Sequence, residues 1–153
     1  MKKDVVVLGL GNPLRSDEGI GVVLIERLAA VCEQYPDVKF IDAGTGGMNI
    51  LHLIADVKKA ILIDCAFMKM KPGAIKKFSP DDVNSVKQLA HTSLHEADIL
   101  GIIDLAKRLE QCPDQITIFG IEPQTVESGQ TLSDAVSGNV EQYLALIRDE
   151  LDR

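Results

Sequence analysis

The sequence predicts an α/β fold, a three-layer α/β/α sandwich around a mostly parallel, twisted sheet of about five strands. Three observations predict it. Short runs of branched aliphatic residues, Val5-Val6-Val7-Leu8 first among them, are apolar on both faces, as strands covered on both sides by helices must be. These runs alternate with segments whose apolar residues recur at helical spacing, the order of βαβ units. The first three runs end in glycines or a single acid, the chemistry of turns at a sheet's carboxyl edge, where open α/β sheets bind ligands.

The elements follow in order. Strand one, Asp4 to Leu8, drops into Gly9-Leu10-Gly11-Asn12-Pro13, and the loop then reaches the acidic pair Asp17-Glu18. A helix from Gly19 to Cys32 carries Ile20, Val23, Leu24, Arg27 and Leu28 at helical spacing. Strand two, Val38 to Asp42, ends in Ala43-Gly44-Thr45-Gly46-Gly47, and Met48 to Ala55 reads as a short helix with His52 in partly buried packing. Strand three, Ala60 to Asp64, is apolar until its final acid. Lys71-Pro72-Gly73 marks a turn, and Ala74 to Phe78 a short edge strand bearing lysines. Ser93 and Glu96 have the spacing of a capping box, opening a third helix with Ile99, Leu100, Ile103 and Ala106 as its stripe. Gln115 to Ile121 is a further strand, and Ser133 to Leu151 a closing helix.

With 153 residues, 46% of them hydrophobic and 25% charged, the chain buries a real core and reads as one domain over residues 1–153. A net charge of -7 argues against gripping nucleic acid, which needs Lys and Arg to neutralise phosphates. The main basic grouping, Lys58-Lys59, Lys69, Lys71 and Lys76-Lys77, reads as solvated surface or the rim for a protein partner. Cys32, Cys65 and Cys112 are odd in number and widely spaced, and no leader precedes strand one, so reduced thiols in the cytoplasm are expected. No apolar run nears the roughly 20 residues of a membrane span, and a monomer is the default expectation.

The titratable residues fall in informative places. Glu18 lies where the first loop meets its helix, Asp42 and Asp64 end the next two strands, and His95 occupies the first turn of the third helix. In a parallel sheet with right-handed crossovers these positions can share one edge. Two carboxylates and an imidazole suit a borderline divalent metal such as nickel or zinc, and a helix N-terminus keeps His95 in its neutral, ligating form. Each residue also has a plainer role. Asp17 and Glu18 favour a helix dipole, Asp42 forms a turn, Asp64 makes a structural hydrogen bond, and His95 caps a helix. His91 stands on the other side of the predicted cap from His95, which removes them from an i, i+4 pair on one helix. Cys65 reads as a small core residue rather than a nucleophile. The dinucleotide G-x-G-x-x-G and the phosphate-loop G-x-x-x-x-G-K-[ST] spacings are both absent, which disfavours nucleotides.

The run from Gly9 to Gly21 resembles the signature of the [NiFe]-hydrogenase maturation endopeptidases, with further matches at Asp42 to Gly47, Ile63 to Ala66, Ser93 to His95 and Gly120 to Pro123. Five matches in order cover nearly the whole chain. The resemblance implies a phosphorylase/hydrolase-like fold and a peptidase that removes the C-terminal extension of a hydrogenase large-subunit precursor after nickel insertion. It also implies Glu18, Asp64 and His95 as the residues that contact nickel carried by the substrate, with Asp42 a secondary catalytic candidate. One branch of the family has Asp where Glu18 stands. The alternatives are a peptidyl-tRNA hydrolase, which shares Gly-Leu-Gly-Asn-Pro but needs a His-Asn pair where Arg15 to Glu18 stand, a non-catalytic nickel-site chaperone, and a relative of the spore-germination proteases.

Overall fold

The computed structural model describes residues 4–45, 47–82 and 99–153. Its strands are β1 (Val5–Leu10), β2 (Val38–Gly44), β3 (Lys59–Cys65), β4 (Ile75–Phe78) and β5 (Gln115–Ile121). Its helices are α1 (Ile20–Ala29), α2 (Asn49–Ile54), α3 (described from Ile99 to Arg108), α4 (Asp134–Ser137) and α5 (Val140–Leu151). Single 3-10 turns at Ser16–Gly19 and Cys32–Gln34 flank α1.

The five strands form one sheet in the order β2-β1-β3-β5-β4, parallel except for β4, which runs antiparallel along β5 at one edge. Successive side chains of a strand point to opposite faces, and the sheet sorts accordingly. Val6, Leu8, Ala60, Leu62 and Ile118 pack against α2 and α3, whereas Val7, Ile61, Ile63, Phe119 and Ile121 pack against α1 and α5. Leu8, Ile61 and Leu62 are wholly buried, and each such side chain stabilises the fold by about 1.5–3 kcal/mol relative to leaving it in water. The result is the predicted three-layer sandwich. Helix α1 lies very close to the sheet because its second residue is a glycine, as a Cβ on Gly21 would run into the backbone of Leu10.

Several expectations need correction. The first helix stops at Ala29 rather than Cys32, since Ala29, Ala30 and Cys32 are exposed and no apolar face remains to bury beyond Leu28. The closing helix is two pieces. Gly138 ends the first, and Asn139, at φ -112° and ψ 8°, precedes the second while its side chain donates back to the Ala135 carbonyl. His52 is exposed, because α2 buries Ile50, Leu51 and Ile54 instead. Lys59 is not solvated surface: it is buried, and its Nζ donates to the Glu150 carboxylate at 2.6 Å and to the Glu150 carbonyl at 2.9 Å. The Ser93 and Glu96 cap and the side chain of Leu100 lie outside the described residues. Among the described residues no helix is long and apolar enough to cross a membrane.

Candidate active site

The topology fixes where a crevice opens. Helix α1 carries the chain from β1 to β2 over one face of the sheet, and α2 carries it from β2 to β3 over the other. The chain therefore leaves β1 and β2 toward opposite faces, and the carboxyl ends of β1 and β3 flank the switch point, the place where open α/β sheets bind ligands. Glu18 lies in the loop after β1, and Asp64 is near the end of β3. The 3-10 turn that holds Glu18 packs on β3.

The loop after β1 is built around one glycine and one acid. Gly11, at φ +131°, adopts a conformation that favours glycine, and a Cβ there would collide with the Glu18 carbonyl. Its N–H donates to the Gly44 carbonyl at 2.7 Å, which joins the loop after β1 to the last residue of β2. Asp17 is only 1% exposed, and its carboxylate accepts four hydrogen bonds. They come from the backbone N–H groups of Gln124 (2.8 Å), Thr125 (3.1 Å) and Ser133 (2.7 Å) and from the Ser133 hydroxyl (2.8 Å). Backbone bonds from Ser16 to Gly129, Asp17 to Thr125 and Gly129 to Leu14 complete the seam. Asp17 thus anchors the loop to the segment after β5, rather than merely favouring a helix dipole.

Glu18 has a different environment. It is buried, with an ion pair of 3.2 Å to Arg15, whose own side chain is half exposed and also donates from Nε to the Val126 carbonyl. Asp64 is wholly buried opposite Gly120 of β5. By strand alternation it projects with Ala60 and Leu62 to the face covered by α3, while Cys65 packs with Ile61 and Ile63 on the other face. Burial pushes the Cys65 thiol well up, and the charges of Asp64, Glu18, Asp17 and Glu122 push it further in that order. A thiol so raised carries almost no thiolate at neutral pH, which fits a core residue and not a nucleophile.

Glu122 is the acid that sequence reasoning passed over, although its motif was noted. It is 6% exposed, follows β5 on the same face as Asp64, and its Oε1 accepts the N–H groups of Met68 (2.7 Å) and Met70 (3.0 Å). The signal was available, since a lone acid ending a buried apolar strand needs a partner wherever it occurs. Asp42 is exposed and accepts the Gly44 N–H at 2.9 Å, the geometry of a turn former. Across β1 from Ile63, its backbone is about 10 Å away by strand spacing.

His95 and His91 lie outside the described residues, so the expected set of Glu18, Asp64 and His95 is not assembled by what is described. Among the described residues no three His, Cys, Asp or Glu side chains are grouped to hold a metal. Concavity alone points elsewhere: a cavity of about 670 Å³ lined by Lys59, Lys77, Asp114 and Glu150 opens at the amino ends of β3 and β5, opposite the crevice.

Comparison with known proteins agrees with the fold. A family model described as "Hydrogenase maturation protease" matches residues 22–150. The hydrogenase expression/formation protein HupD of Rhodobacter capsulatus is 32% identical over 142 residues, 92% of this chain and 68% of that protein. HoxM of Cupriavidus necator is 28% identical over 94% of this chain and 74% of its own length. Among solved structures, the hydrogenase maturating endopeptidase HybD of Escherichia coli superposes with a TM-score of 0.80 at 26% identity, covering 97% of this chain and 91% of that one. HybD of Thermococcus kodakarensis shares the fold with a TM-score of 0.74 at 24% identity, over 96% and 98% of the two chains.

Proposed function

Because the chain belongs to the hydrogenase maturation protease family and is a peptidase, we propose that it removes the C-terminal extension of a [NiFe]-hydrogenase large-subunit precursor once nickel has been inserted. The observation that carries this reading is the pair of buried acids, Glu18 and Asp64, on the two sides of the switch point between β1 and β3. His95 stands four residues before Ile99, which packs on the face that Asp64 projects from. Two carboxylates and an imidazole suit a borderline metal and lower the cost of its charge. In this reading nickel is part of the substrate, held by the precursor's own cysteines, and the three side chains close on it from the protease. A precursor without metal offers them nothing to hold, so loading becomes a condition of cutting. Asp42 borders the crevice as a secondary candidate. We place the reaction in the cytoplasm with the protease as a monomer; the three free cysteines fit a reducing compartment. A peptidase of this family does neither the chemistry of a peptidyl-tRNA hydrolase nor that of a carrier.

The test incubates the chain with nickel-loaded and nickel-free precursor and detects the released C-terminal peptide by mass spectrometry. Release from the loaded form alone is expected. Equal release from both removes nickel from the reading, and release from neither removes the substrate. Replacing His95 by Ala should abolish processing and leave the fold intact. Glu18→Gln keeps the shape and removes the charge, so it too should be inactive; full activity would reduce Glu18 to the partner of Arg15.

A further inference from the structure

We propose that the segment from Phe67 to Lys71 is the surface on which the precursor docks, and that it receives a stretch of the precursor carrying apolar side chains with an acidic one among them. This rests on the substrate reading above.

The segment begins two residues after β3, beside Asp64, and its backbone is pinned along its length. Ala66 donates to the Ile121 carbonyl at one end, Gly73 donates to the Glu122 carbonyl at the other, and between them the buried Glu122 carboxylate takes the N–H groups of Met68 and Met70. The Met68 side chain is buried in the core below. Lys69 is held at φ +58°, a left-handed conformation that costs a non-glycine residue energy and persists only where its surroundings enforce it.

What the restrained backbone displays is Phe67, 47% exposed, and Met70, 41% exposed, with Lys69 and Lys71 exposed beside them. Their setting is not random. Among the described residues six large apolar side chains are exposed, and Leu14 in the loop after β1 and Met48 in the loop after β2 join Phe67 and Met70 at the carboxyl edge. Apolar groups gathered around a site mark a protein contact, whereas single ones scattered over a surface do not. Phe and Met are residues that interfaces enrich, and Met adapts to an irregular partner. The lysines supply the charge preference. Asp17, Glu18, Asp64 and Glu122 all lie near enough to Cys65 at the end of β3 to act on its thiol, a concentration of negative charge that repels an acidic peptide; the two exposed lysines beside it attract one and fix its approach.

The test measures both binding of the nickel-loaded precursor, by fluorescence anisotropy, and its processing. Phe67→Ser with Met70→Ser should raise Kd and KM roughly tenfold or more, as for loss of interface anchors, with kcat within twofold. Lys69→Asn with Lys71→Gln should raise Kd several-fold and flatten its salt dependence; asparagine is chosen because it tolerates the left-handed backbone. Leu109→Ser, at an exposed site just beyond α3, should change neither constant. Melting temperatures within 2 °C or so of wild type confirm that the fold is kept. Unchanged Kd in both pairs overturns the proposal, as does a fall in kcat at constant KM. A wild-type dimer that the Phe67 and Met70 pair dissolves would assign the surface to a second copy and overturn it too. A wild type that binds precursor without cutting it defeats the substrate step and leaves docking standing. A wild type that does not bind precursor defeats both.

Discussion

Asp17→Ala is the sharpest test of how the site is held. The carboxylate is 1% exposed and accepts three backbone N–H groups and one hydroxyl, all from the segment after β5. A hydrogen bond to a charged group contributes about 1.5–3 kcal/mol, and a buried donor left without a partner costs about 1–3 kcal/mol. Four such bonds to one carboxylate are not additive, because removing the side chain opens space in which water satisfies part of the loss. The expected destabilisation is therefore about 3–5 kcal/mol, the scale of breaking a buried polar network. For a chain of this length, about 1 kcal/mol moves Tm by roughly 2–4 °C, so Tm should fall by about 10 °C. Asp17→Asn keeps an amide oxygen as acceptor and should cost less, about 1–2 kcal/mol. Urea unfolding followed by circular dichroism supplies the free energies, and hydrogen exchange reads the Gln124, Thr125 and Ser133 amides individually. A loss below about 1 kcal/mol with those three amides still protected would refute the anchor.

Two further predictions concern groups outside the proposed metal-contacting set. Cys65→Ala should retain processing, and in the native protein a thiol reagent should modify exposed Cys32 while sparing Cys65 until unfolding; loss of processing at native stability would restore Cys65 as a nucleophile. Glu150 gives a pH dependence. Burial alone would raise its carboxyl, but hydrogen bonds from Lys59 and Lys77, and their charges, hold it below the ordinary 4.5. A depressed carboxyl stabilises the fold above its unfolded value and gives that up as pH falls through the folded value. Acid unfolding should accordingly steepen below about pH 4.5, and Glu150→Gln should flatten that limb; matching limbs in the two proteins would show that the Lys59 and Lys77 bonds do not hold the carboxyl down.

The strands were legible because branched aliphatic runs have few other destinations, and the parallel order followed from helices between them. Boundaries were less legible, since they depend on what a residue meets. Nothing in Ala29-Ala30-Val31-Cys32 forbids a helix; the helix ends there because the core does. The same holds for Lys59, which reads as surface until α5 brings Glu150 to it from 91 positions away in sequence. Positions of the site acids were readable from strand ends, but their duties were not. Asp17 and Glu18 are adjacent and chemically alike, and only the segment from Gln124 to Ser133, distant in sequence, tells them apart.

That distinction bears on which acids meet the substrate. Asp17 and Glu122 accept backbone N–H groups, donors that cannot leave without unfolding a loop, so these charges are committed to holding the crevice walls. Glu18 pairs instead with Arg15, a half-exposed side chain that also rests on the Val126 carbonyl. An ion pair with a solvent-exposed arm contributes little net stability, and Arg15 can turn to water when a stronger cation arrives. In the proposed reading, Glu18, whose Arg15 partner reaches solvent, is the acid of the loop after β1 that meets the metal borne by the substrate, and the anchored Asp17 beside it keeps the backbone in place.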